Sequence, residues 1–181
     1  MKTERIERVR AALRAQGLTQ MIVCDPKSVW YLTGVAVEPY ERLLALYLPI
    51  EGEPVLFLNS LFNVPNPPCK AVWHTDTDAP VAQIAATVDA EKPLGIDKEW
   101  PAKFLIPLME AHPTMKVVLA SDCVDDCRAC KDAEEQSLMR EASRINDEVN
   151  EAAKHYVKIG MTEREVAEFI DAQYRAHGCE G

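Results

Sequence analysis

Ile6, Val9 and Leu13 fall on one side of a 3.6-residue period with charged residues between them, and Gly17 follows. That pattern predicts an amphipathic helix over residues 3–16, stopped by a glycine. Gln20-Met21-Ile22-Val23-Cys24 is a short apolar run closed by Asp25-Pro26, which predicts a buried strand and then a turn. Asp25 is placed to cap a short helix carrying Val29, Trp30 and Tyr31, and Gly34 to end it. Residues 43–50 are almost continuously apolar, the pattern of a strand buried on both faces. Glu51-Gly52-Glu53 turns the chain back into residues 55–58, so an antiparallel hairpin is expected. The three prolines within residues 63–70 mark a loop.

Strand and helix then alternate. Residues 72–74 are a strand candidate, and 79–90 a helix with Pro80 near its start. Strand 94–97, helix 101–111 and strand 116–120 follow. Such alternation predicts an α/β fold with a sheet covered by helices on both faces, and the early hairpin makes that sheet mixed. Residues 121–131 read as a polar linker. Beyond them Leu138, Ala142, Ile145, Val149, Ala152, Tyr156 and Ile159 recur at three- and four-residue spacing, a long helix whose apolar stripe needs a partner surface. Thr162-x-x-Glu165 is a capping box opening a second helix with Val166, Phe169, Ile170 and Tyr174. The expected division is 1–125 and 126–181.

With 181 residues, 48% of them apolar, the chain has room for one ordinary core and part of another. A formal charge of −9 repels phosphate backbones and argues against nucleic acid as a partner. No apolar run approaches the ~20 residues that span a bilayer, so no membrane association is expected. The start is a charged amphipathic helix, unlike a signal peptide, so a cytoplasmic setting with six reduced cysteines is the expectation.

Cys123-x-x-x-Cys127-x-x-Cys130 has the spacing that wraps an iron–sulfur cluster in radical enzymes, but too little chain follows it for their barrel. Incidental thiols in a linker are the expected reading. His112 and His177 offer no regular zinc spacing, and neither His155 nor His177 has a nucleophile beside it. No catalytic residue and no metal ligand is therefore assigned within the chain.

Several motifs stand in an informative order. They are Tyr31-Leu32-Thr33-Gly34, the hairpin with Gly52-Glu53-Pro54 in its turn, Leu94-Gly95-Ile96-Asp97, Arg128-x-x-Lys131-x-x-x-Glu135, and Gly160-Met161-Thr162-Glu163-x-Glu165. Together they resemble the creatinase, prolidase and aminopeptidase P family over essentially the whole chain. The resemblance implies a mixed-sheet amino-terminal domain followed by the first two helices of an α+β pita-bread metallopeptidase domain. It also implies a Xaa-Pro dipeptidase or aminopeptidase as the parent hydrolase, working as a homodimer. Such enzymes use two divalent metals, manganese, cobalt or zinc, because coordination lowers a water's pKa from 15.7 to about 7. In the family the five ligands sit on strands after the second helix, beyond Gly181, so this chain is expected to hold no metal and to be inactive alone.

A creatinase-like amidinohydrolase and a non-catalytic interaction module of the same fold are the alternatives. The family also gives meaning to residues 35–42, since the equivalent loop often reaches a neighbouring subunit's active site. Glu38, Tyr40 and Arg42 are then expected to bind substrate, with Arg42 suited to a peptide carboxylate.

Overall fold

The computed structural model describes residues 1–179, and the chain divides into two compact units, Met1–Cys130 and Lys131–Gly181. The first unit runs α1 (Thr3–Ala15), β1 (Gln20–Val23), α2 (Pro26–Thr33), β2 (Ala45–Pro49), β3 (Val55–Asn59) and β4 (Lys70–His74). It continues through α3 (Pro80–Ala85), β5 (Leu94–Ile96), α4 (Ala102–Ala111), β6 (Val117–Leu119) and α5 (Asp122–Ala129).

The six strands lie in the order β4-β3-β2-β1-β5-β6. β2 pairs antiparallel with both β1 and β3, while β1–β5, β5–β6 and β3–β4 are parallel. The sheet is therefore mixed, and β1, β3, β4, β5 and β6 all end at one edge. In open α/β sheets that carboxyl edge is where ligands are met.

Strand period sets which face each side chain covers. Met21 and Val23 of β1 join Leu46, Leu48, Leu56 and Leu58 beneath α1, α2 and α5. Ile22 points the other way, with Ala45, Phe57, Leu94 and Ile96, beneath α3 and α4. Helix α1 contributes Ile6, Val9 and Leu13, all nearly fully buried. Each such side chain contributes roughly 1.5–3 kcal/mol when taken from water.

Several sequence expectations change. The helix opened by Pro80 ends at Ala85, five residues earlier than expected. Residues 121–131 are no linker, because Asp122–Ala129 form α5 with Cys123, Val124 and Cys127 buried against the core. Asp122 and Asp125 lie in its first turn and Arg128 in its last, as the helix dipole favours. Arg8 of α1 donates to the carbonyls of Cys127 at 3.0 Å and Cys130 at 3.4 Å, closing the helix end. The apolar stripe was spelled in cysteines, which behave as small hydrophobes when buried.

The second unit holds α6 (Ala133–Tyr156) and α7 (Glu163–Ala176), each opened by a capping box, Asp132 with Glu135 and Thr162 with Glu165. Tyr156 stacks on Phe169 at 3.9 Å between ring centroids, and Tyr174 donates to Asn146 at 2.7 Å. Val149 alone of α6 is buried and no residue of α7 is. Ile159 lies outside both helices and is fully exposed. No helix among the described residues is long and apolar enough to cross a membrane.

Candidate functional site

The carboxyl edge of the sheet is built around carboxylates that order the chain. Asp25 caps α2, its Oδ2 accepting from the Ser28 amide at 2.9 Å, the Ser28 hydroxyl at 2.7 Å and Arg128 at 3.1 Å. Burial works against its charge, but the Ser28 hydroxyl and amide, the Lys27 amide and Arg128 hold its pKa below the usual carboxylate range. Gly34 ends the helix at φ 81°, a left-handed position suited to glycine.

After Gly34 the chain crosses the sheet edge and makes a turn in which the Pro39 carbonyl accepts from the Arg42 amide at 2.9 Å. Tyr40 occupies this turn at φ 51°, the single non-glycine residue with positive φ among those described, and it is 80% exposed. Arg42 sets its fork on Asp76, Nε to Oδ1 and Nη2 to Oδ2, both at 2.9 Å. Asn59, at the end of β3, donates to the same Asp76 Oδ1 at 2.9 Å. Arg42 draws the Asp76 pKa down, and Asp76 raises that of Arg42. Lys103 of α4 donates to the Glu41 carbonyl.

Two clefts flank the turn. The first, about 200 Å³, is walled by Glu38, Tyr40, Arg42, Glu99, Trp100 and Phe104. All three residues expected to bind substrate therefore lie on one cleft. The second, about 320 Å³, lies on the other side of Arg42 and has Asn59, His74, Asp76, Asp78 and Lys103 in its wall. His74 is 2% exposed, and neither ring nitrogen has a hydrogen-bond partner. Burial pushes its pKa down, against the pull of Asp78 and Asp76.

Asp97, at the end of β5, is a further buried carboxylate. It accepts from the amides of Cys24, of Asp25 at 2.8 Å and of Glu99 at 3.1 Å. Burial pushes its pKa up against those amides. Sequence reading did not single out Asp76, Asn59 or His74. The run Thr75-Asp76-Thr77-Asp78 directly after a strand was the available signal, since Asp and Thr there order loops.

The remaining histidines are occupied elsewhere. His112 Nε2 lies 2.9 Å from the Ala85 carbonyl, while His155 and His177 face Glu151 and Glu148 at 3.2 and 3.7 Å. Among the described residues no three His, Cys, Asp or Glu side chains converge as a metal site. The donor set of the described residues does not fit a metal pair. Cation-paired carboxylates, an exposed aromatic and two polar clefts can bind and orient a ligand.

Residues 5–130 match the creatinase/prolidase N-terminal domain, and residues 137–181 match metallopeptidase family M24. An uncharacterized peptidase of Staphylococcus epidermidis is 26% identical over 178 residues, covering 96% of this chain and 50% of that protein. The crystal structure of dipeptidase PepE from Mycobacterium ulcerans has a TM-score of 0.82 at 26% identity, covering 97% of this chain and 49% of that one. A dipeptidase from Pyrococcus horikoshii OT3 is 28% identical with a TM-score of 0.79, covering 96% and 50%. The chain thus spans about half the length of the curated relatives it matches. By fold, motif order and a match over residues 5–130, the chain belongs to the creatinase/prolidase amino-terminal domain family.

Proposed function

We propose that the chain serves as the amino-terminal part of a metal-dependent Xaa-Pro dipeptidase or aminopeptidase, where it pairs subunits and shapes the substrate pocket. The observation that carries this reading is the sequence of matches along one chain. Residues 5–130 match a creatinase/prolidase N-terminal domain and residues 137–181 match metallopeptidase family M24, and two dipeptidases more than 25% identical to the chain cover 96–97% of it. The cleft bearing Glu38, Tyr40 and Arg42 is the part of this chain assigned to the peptide. Hydrolysis is assigned to a manganese, cobalt or zinc pair held by residues outside those described, in a cytoplasmic homodimer.

The test compares this chain with the product of the gene region that encodes it and whatever follows. Both are purified, analysed for metal, and assayed on Ala-Pro and Leu-Pro with added manganese or cobalt. The expected outcome is hydrolysis by the longer protein and none by the 181-residue chain. A longer protein that carries five intact metal ligands yet cleaves no Xaa-Pro bond overturns the substrate assignment. A continuation without those ligands moves the chain to a creatinase-like or interaction role.

A further inference from the structure

Two side chains, Asp76 and Lys103, bond to the turn at residues 39–42, and a third, Asn59, bonds to Asp76. Asp76 follows β4, Asn59 ends β3, and Lys103 lies on α4. All three nitrogens of the Arg42 guanidinium have partners, Nε and Nη2 on Asp76 at 2.9 Å and Nη1 facing Glu41 at 3.1 Å. A guanidinium's five N–H donors are fixed in one plane, and Asp76 takes its Nε–Nη2 edge. A peptide carboxylate could take the two-pronged Nε–Nη2 edge of Arg42 only by displacing Asp76, which Asn59 also holds in place.

Tyr40 shows the opposite condition. A side chain with a Cβ rarely adopts positive φ, and such strain persists only where the surroundings impose it. The residue is 80% exposed, so neither burial nor backbone comfort explains its place. The turn is tied down on its flanks and spends that order on displaying one aromatic ring.

We infer that Asp76 and Asn59 are positioning residues: through Arg42 they hold residues 39–42 in a strained turn that presents Tyr40. Arg42 is then a clamp, and Tyr40 is the group that meets the ligand. What Tyr40 meets, a peptide bound in a hydrolase, rests on the proposed function. The clamp does not.

The clamp is tested in the 181-residue chain by amide hydrogen exchange over residues 38–42 and by chymotrypsin cleavage after Tyr40. Arg42→Ala and Asp76→Ala should each speed both by about ten-fold or more, as expected when a local tether opens. The double variant should go no further than either single one, because the two side chains act as a unit. Arg42→Lys, which keeps the charge but loses the fork, should behave like Arg42→Ala. Exchange of β1–β3 amides should stay as slow as in the parent chain, marking the change as local. Unchanged protection in Asp76→Ala, or additive effects in the double variant, overturns the clamp.

In the longer protein the same pair should raise KM for Xaa-Pro dipeptides by the same factor at constant kcat. A rise in Arg42→Ala that Asp76→Ala does not share returns Arg42 to direct carboxylate binding and also overturns the clamp. Absence of hydrolysis in every form strikes the proposed function and leaves the exchange result standing.

Discussion

The Asp97 carboxylate accepts the backbone amide of Asp25 at 2.8 Å, binding the end of β5 to the end of β1. The Cys24 and Glu99 amides point at the same side chain, which is 6% exposed. One carboxylate therefore satisfies three backbone donors where parallel strands stop and loops begin. Removing it leaves donors with no partner at a site water barely reaches. Asp97→Ala should cost about 2–4 kcal/mol, read as a lower urea midpoint at unchanged slope. Asp97→Asn should cost less, since one oxygen still accepts while its amide nitrogen opposes a donor.

Gly95 is required for space. A Cβ there would stand 2.9 Å from the Ala120 Cβ and 3.3 Å from Leu18 Cδ1. Both neighbours are buried, and Ala120 is fixed by its amide bonding to the Ile96 carbonyl at 2.8 Å. Gly95→Ala should cost about 1–3 kcal/mol, the range for overfilling a packed core. A thermal midpoint equal to that of the parent chain would contradict this.

These two sites mark how far the sequence could be read. The hairpin, the cap on α2 and the alternation along β5, α4 and β6 follow from local signals: period, a capping Asp, turn residues. They were legible for that reason. The extent of α5 was not, because its buried face is Cys123, Val124 and Cys127 among four charged residues. Composition read that stretch as a linker. The Arg42–Asp76 fork joins positions 34 residues apart, and no local rule brings them together. Tyr40 and Arg42 were picked out by family resemblance, whereas the groups that hold their turn became visible only once β3 and β4 were paired.

The α5 cysteines carry a prediction opposite to the one a linker implies. Cys123 is 1% exposed, and burial pushes its thiol up to about 11, so it is packed and unreactive. Replacing it or Cys127 with serine buries a hydroxyl in an apolar setting, at a cost of about 1–3 kcal/mol each. Cys130 is exposed, and its serine variant should be neutral. A thiol reagent should label Cys130 quickly, and Cys123 and Cys127 only as the chain unfolds. Fast labelling at Cys123 would contradict the packing.

His74 gives the acid limb of stability a specific source. Its imidazole is buried at the end of β4 with both ring nitrogens unpartnered, and burial lowers its pKa from 6.5. The folded chain therefore keeps His74 neutral at a pH where the unfolded chain has begun to protonate it. The unfolded state binds more protons in that window, so stability rises with pH there. This contribution is complete above about pH 6.5 and is lost as the pH falls from that value toward the folded pKa. Asp78 and Asp76 narrow the window by favouring the cation, but they do not reverse the direction. His74→Leu removes both the titration and two unsatisfied nitrogens, so it should be near neutral or stabilising at pH 7.5. Urea midpoints measured from pH 7.5 to 5 should fall more steeply for the parent chain than for His74→Leu. Parallel slopes would show that His74 is not the group responsible.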